Sequence, residues 1–368
     1  LPFGYDNYSR PVEIALYHPD GGFFTSGGGA GRAGGDFITS PEVGPLFGGV
    51  VARYLDARWD ELGRPDPFVV VDAGAGRGAL AISLLAASPR CAAALRLVLV
   101  ERSAELRSRQ AEHLELVHPF EVLGPTNDGE CDTQQPDRSG IGPMTCALPD
   151  LPATRFPGVV LANELLDNLP FRLLERTDAG SWDEVRVSTS PTGELVELLV
   201  PADGAAAERA QRHAPDAAPG ARIPLQAAAT RWLADALALV DAGSVVVVDY
   251  AATTAELACR PVDQWLRTYR GHGRGGRPLD SPGSQDVTCE VAVDQLATVA
   301  EPSVDLTQAE WLRSHGIDEL VDDGRRIWAE RAHSPDLAAM RARSRMVEAE
   351  ALLDPSGLGS FRVLDWRR

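Results

Sequence analysis

Phe68-Val69-Val70-Val71-Asp72-Ala73-Gly74-Ala75-Gly76-Arg77-Gly78 is the stretch on which the reading of the chain turns. Its first four residues are a short, continuous apolar run, the form a strand takes when both its faces are buried in a parallel sheet. The glycines make a turn, and residues 79–87 read as a small amphipathic helix stopped by Ser88-Pro89. Leu95–Val100 is a second buried run, followed by helical character over residues 103–117. Strand, turn, helix, strand, helix is the start of a doubly wound α/β sheet.

Working outward, residues 158–162 and 244–248 are further buried strands, the second ending in Asp249-Tyr250. Residues 171–176, 182–188 and 194–200 alternate between turn signals, as a small antiparallel insertion would. An Ala-rich helix is expected over much of 203–240, interrupted by Pro215, Pro219 and Pro224. Residues 124–150 have almost no periodicity and read as a surface excursion. Upstream, Leu46, Phe47, Val50, Val51, Tyr54 and Leu55 keep a helical rhythm. Toward the end, helices are expected at 307–314, 319–332 and 335–353, with a final strand at 361–366.

The 368 residues suggest about two domains or one elaborated domain. With 44% hydrophobic and 24% charged residues the chain is globular, not disordered. Its 35 basic and 53 acidic residues leave a net charge of −18, a surface that repels nucleic-acid phosphates. There is no lysine, which excludes Schiff-base and pyridoxal chemistry, the Walker A loop and the kinase strand lysine together. Five cysteines, odd in number and never in C-x-x-C spacing, argue against a zinc cluster or disulfide framework and point to a cytoplasmic location. No apolar run approaches the roughly 20 residues of a membrane span, so no membrane partner is expected.

The glycine turn has the spacing G-x-G-x-G, with Asp72 two residues before Gly74. A dinucleotide fingerprint needs its third glycine one position later than Gly78. An acidic strand end followed by G-x-G-x-G is instead the S-adenosylmethionine (SAM) loop pattern of Rossmann-like methyltransferases; the same turn also serves as a plain strand-to-helix connection. Glu101 ends the next strand, where an acid accepts both ribose hydroxyls of a nucleoside cofactor, or simply meets solvent or Arg102. After the third strand come Asn163, Glu164 and Asp167. If a helix begins there, Glu164 and Asp167 share one face and can clamp a guanidinium, although the spacing is also an ordinary helix-start charge pattern.

Several segments, taken in order, resemble one known family. They are Ala15-Leu16-Tyr17-His18-Pro19, Gly35-Asp36-Phe37-Ile38-Thr39-Ser40-Pro41-Glu42-Val43, the Asp72 loop, Ala162-Asn163-Glu164 and Val248-Asp249-Tyr250. Pro282-Gly283-Ser284-Gln285-Asp286-Val287-Thr288, Thr307-Gln308-Ala309-Glu310-Trp311-Leu312 and Leu353-Asp354-Pro355-Ser356-Gly357-Leu358-Gly359 complete the set. Nearly end to end, the chain resembles the MidA family of SAM-dependent methyltransferases, whose mitochondrial relatives are protein arginine methyltransferases acting in respiratory complex I assembly. It departs from that family at Glu290, where His is usual, at Ala251, where Gly is usual, and in the length of the 124–150 excursion.

The resemblance implies a class I Rossmann-like fold: a mostly parallel, doubly wound sheet with inserted helical and antiparallel elements. Residues 1–60 would be a cofactor-covering segment and helix. Residues 61–250 would be the SAM-binding core, with an insertion at about 171–235, and 251–368 substrate or lid elements completing the sheet. It implies SAM as cofactor, bound by Asp72, Gly74, Gly76, Gly78, Glu101 and Asn163, and covered by Gly35, Asp36, Thr39, Ser40, Pro41 and Glu42. Asn163, Glu164 and Asp167 are the expected catalytic residues, with no metal. The expected acceptor is a protein arginine or a cationic small molecule. A small-molecule O- or N-methyltransferase and a SAM-binding assembly factor without turnover are the alternatives.

Overall fold

The computed structural model describes residues 6–29, 38–124 and 139–368. Its central sheet has seven strands: β1 (Phe68–Ala73), β2 (Leu95–Val100), β3 (Met144–Leu148), β4 (Phe156–Asn163), β5 (Val240–Asp249), β6 (Val304–Thr307) and β7 (Arg362–Arg367). Their spatial order is β3-β2-β1-β4-β5-β7-β6. Adjacent strands from β3 to β5 pair in parallel. β6 and β7 pair antiparallel, and Gly243 and Arg368 exchange both backbone hydrogen bonds, the mark of an antiparallel pair. The order reverses between β1 and β4, the topological switch point of a doubly wound sheet, where ligands bind beyond the carboxyl ends of the strands. This is the expected α/β class.

Every residue of β1 and β2 is buried, as their unbroken apolar runs require. Close backbone approach makes Gly158 obligatory on β4: a Cβ there would overlap the Val69 carbonyl oxygen. Helix α1 (Pro45–Glu61) buries the predicted Leu46, Phe47, Val50, Val51, Tyr54 and Leu55 face. It packs on α2 (Ala79–Ala86), with Gly48 against Ser83.

Three expectations are corrected. Helix α3 (Ala104–Gln110) is shorter than the 103–117 reading. The 124–150 excursion contains β3, a five-residue strand too short to announce itself by period. The Ala-rich 203–240 stretch is two helices, Gly204–His213 and Ala227–Leu239, separated by the strand Arg222–Leu225.

The chain divides into two compact units. The central sheet's unit comprises residues 38–163, 236–248 and 302–368; residues 1–37, 164–235 and 249–301 form the other. Within the latter, antiparallel strands Arg172–Arg176, Trp182–Thr189, Leu195–Pro201 and Arg222–Leu225 join the two-residue strand Asp6–Asn7. A second sheet pairs Leu266–Arg270 with Gly273–Arg274 and Asp286–Cys289. Tyr8, Leu16, Phe171, Val187 and Trp265 anchor this unit's core. Among the described residues no helix is long and apolar enough to cross a membrane.

Candidate functional site

Gly74, Gly76 and Gly78 have φ of 75°, 53° and 85°, a left-handed run that glycine alone adopts without strain. The Gly74 and Ala75 amides donate to the Val100 carbonyl at 2.8 and 3.0 Å, hanging the loop on the end of β2. A Cβ on Gly76 would meet open space, so the loop leaves room for a ligand at this position. Glu101 is the latch. One carboxylate oxygen accepts the Gly76 amide at 3.0 Å and the other the Ser103 amide at 2.7 Å, immediately before α3. Gln110, from the end of α3, donates to the Gly76 carbonyl at 2.8 Å.

Asp72 is buried beneath this loop, and its Oδ2 has no hydrogen-bond partner among the described residues. Burial, and after it the charge of Glu101, push its carboxyl up to about 7. Burial also raises Glu101, against the pull of the Ser103 and Gly76 amides. A buried acid without a partner next to an open glycine turn suits a ligand that brings its own cation. The donor set suits SAM, whose ammonium is a cation that Asp72 could pair with and whose ribose hydroxyls are donors that the unused lone pairs of Glu101 could accept.

In the other unit, Glu164 stands at φ 50°, uncommon for a residue with a side chain and a conformation that gathers at functional sites. The expected helix is absent; residues Leu166–Asn168 make a single 3-10 turn. Pro170 ends the turn, since it biases Leu169 away from the helical region and Leu169 is extended at φ −76°, ψ 144°. The start of the turn is anchored by Asp249. Its Oδ2 accepts the Leu166 and Asp167 amides at 3.0 and 3.3 Å, and its Oδ1 accepts the Tyr250 amide at 2.9 Å. Asp167 is buried, with Oδ1 unpartnered among the described residues, and burial lifts it to about 7 against the pull of nearby amides and Arg267. Burial, then the charges of Asp167 and Glu164, hold Asp249 well above the usual carboxylate range. Asp167 and Glu164 thus both act on Asp249, so the three acids form one cluster.

Tyr250 is raised by burial and by Glu164, and the Arg267 guanidinium lies 5.4 Å from its ring centroid. Glu290, the departure from the family pattern, pairs with Arg260 at 2.7 Å and Arg267 at 3.7 Å, so it steers two arginines. Sequence reasoning missed Asp249 and Arg267 as site residues. The signal for Asp249 was present: an acid at the end of a buried strand, as at Asp72.

Among the remaining expected residues, Gly35 and Asp36 lie outside the described residues. Thr39 precedes the short helix Ser40–Val43, which carries Pro41 and Glu42 and packs against α2. Ser40 is fully buried and donates to Gln308 Oε1 at 2.9 Å. Asn163 ends β4, in register with Val248.

Fold and loop together define a Rossmann-type SAM-binding protein. Residues 50–310 match the family model Methyltransf_28, described as S-adenosyl-L-methionine-dependent methyltransferases. The chain belongs to this family, and it is a SAM-dependent methyltransferase with SAM as its cofactor. It is 28% identical over 364 residues to the Danio rerio protein arginine methyltransferase NDUFAF7, mitochondrial, covering 89% of this chain and 79% of that one. To the Homo sapiens protein of the same name it is 26% identical over 333 residues, 84% of this chain and 70% of that one. Among solved structures it is similar to a COG1565 superfamily member from Burkholderia thailandensis bound to S-adenosyl-homocysteine, with TM-score 0.79 and 27% identity over 99% of this chain and 88% of that one.

These relatives overturn the expected cytoplasmic location, because the curated proteins are named as mitochondrial. The cysteine argument failed for a physical reason: scattered free thiols show that a compartment is reducing, not which compartment it is.

Proposed function

We propose that this methyltransferase acts on a guanidinium nitrogen of a protein arginine. The observation that carries the reading is the cluster of Glu164, Asp167 and Asp249, in which the buried Asp167 Oδ1 has no hydrogen-bond partner among the described residues. The names of the relatives, protein arginine methyltransferases, support it.

Bound SAM supplies an electrophilic methyl group on a sulfonium. In this reading Asp72 holds the cofactor's ammonium and Glu101 its ribose hydroxyls, while Gly74, Gly76 and Gly78 let the backbone approach. Thr39, Ser40, Pro41 and Glu42 cover the cofactor, and Asn163 contacts it. Glu164 and Asp167 grip the planar guanidinium through its fork of N–H donors. A guanidinium keeps its proton in water, with pKa above about 12, so it attacks well only when oriented and relieved of that proton as the N–C bond forms. Asp167 is the acceptor suited to the proton, since burial already favours its protonated form. Asp249 positions Asp167 by fixing its amide. Most of the acceleration then comes from proximity and from fixed charge placement.

Incubation with isotopically labelled SAM and lysate of the host, followed by mass spectrometry, tests the reading. Label on arginine of a protein, reduced at least a hundredfold by Glu164→Gln with SAM affinity within twofold, is the expected result. Label confined to a small molecule would replace the acceptor, and SAM binding without any transfer would leave an assembly factor.

A further inference from the structure

An open pocket of about 400 Å³ is lined by Arg209, Arg212, His213, Arg231, Gln295 and Thr298 among others. In a chain of net charge −18, three guanidiniums converging on one hollow are out of keeping with the surface. Arg209 and Arg212 stand three residues apart near the end of helix Gly204–His213, and Arg231 follows the first turn of Ala227–Leu239. Arginines near a helix end commonly complement its dipole by binding the last carbonyls. These do not. None of the three makes a hydrogen bond or ion pair with any described residue, whereas most arginines here are paired, such as Arg172, Arg222 and Arg260.

Asp294, the acid that pairs with the lining His213, is already engaged. Asp294 Oδ2 is 2.6 Å from His213 Nδ1, and its Oδ1 accepts the amide and hydroxyl of Thr254 at 2.7 and 2.9 Å. The floor is rigid. Gln295 is 1% exposed and spends its amide on the Pro224 carbonyl, Thr254 Oγ1 and the Gln226 amide. Thr298 donates its hydroxyl to the Gln295 carbonyl at 2.7 Å. With the floor's own polar groups engaged, the free donors are the three unpaired guanidinium forks, which suit a group with many acceptor oxygens. Tetrahedral phosphate matches that better than a planar carboxylate, which one fork saturates.

We propose that this pocket is a second binding site, taking the phosphoryl group of a small anionic molecule. It is independent of the methyl-acceptor reading, because none of its lining residues belongs to the glycine loop or the carboxylate cluster.

Calorimetric titration of the full chain with sodium pyrophosphate, with citrate as a polycarboxylate comparison, tests the proposal. Saturable pyrophosphate binding is expected, tighter than citrate. Arg212→Ala and Arg231→Ala should each weaken it at least tenfold, while Arg341→Ala, which removes the same charge from an exposed helix position, leaves it within twofold. SAM binding, measured on the same samples, reports that the variants are folded. Absence of saturable binding, equal affinity for citrate, or equal weakening by Arg341→Ala would each overturn the proposal.

Discussion

The Gly76 amide and the Glu101 carboxylate are joined across 3.0 Å, so the glycine turn and the acid that ends the next strand are one device. Glu101 accepts an amide on each oxygen. Glutamine is therefore not a conservative replacement, because its NH2 group would face one of those amide donors. Glu101→Ala and Glu101→Gln are both expected to cost about 1–3 kcal/mol of SAM affinity, the scale of charged hydrogen bonds. Calorimetry checks this, and a Gln variant binding like wild type would remove the latch role.

Two glycines should respond in opposite ways. At Gly76 a Cβ has open space, but φ is 53°, so Gly76→Ala costs on the order of 1 kcal/mol of backbone strain and should mainly weaken cofactor binding. At Gly158 the Cβ would enter the Val69 carbonyl of the neighbouring strand. Gly158→Ala should therefore prevent β1 and β4 from pairing, and soluble expression should collapse. Thermal melts of the two variants, with SAM titration of the first, separate the effects.

Asp72 predicts a pH dependence with a definite sign. Its folded carboxyl is pushed up to about 7, while an unfolded one titrates near 3.8. Between those values the folded state binds more protons, so this group lowers stability as pH rises from about 4 to 7. Asp72→Asn should relieve the penalty, with a gain over wild type that grows toward pH 8 to at most about 4 kcal/mol. A cationic cofactor reverses the logic by favouring the ionised form. SAM affinity of the wild type should thus climb with pH through about 7, and Asn should bind weakly with no such slope. Denaturant melts and titrations at pH 5, 6.5 and 8 carry both readouts.

The sheet was legible in the sequence because its central strands are buried on both faces. Phe68–Ala73 and Leu95–Val100 leave no polar alternation to confuse them with edge strands or helices. The glycine loop was legible because three left-handed positions admit little else. The turn after β4 was not. The anchoring of that turn depends on Asp249, more than eighty positions later, which accepts the Leu166 and Asp167 amides. Residue spacing contains no such long-range bond. The strand Arg222–Leu225 was hidden for a related reason: its Pro224 reads as a helix breaker, and only pairing with Arg172–Arg176 makes the segment a strand.

Asp167 sets the expected pH profile of methyl transfer. Burial lifts its carboxyl to about 7, and in the role proposed for it Asp167 must be ionised to grip a guanidinium. Below that value kcat/KM should rise about tenfold per pH unit, and above it should level off. Asp167→Asn keeps the size of the side chain and removes the titration. It should lower kcat/KM at pH 8 by at least a hundredfold and flatten the acid limb, while leaving SAM affinity nearly unchanged. Asp249→Asn is the companion: its NH2 group would oppose an amide that Asp249 now accepts, so the turn loosens and transfer falls even though the acid limb persists. If Asp167→Asn retained the wild-type slope, the proton acceptor would have to be sought elsewhere, with Glu164 the next candidate.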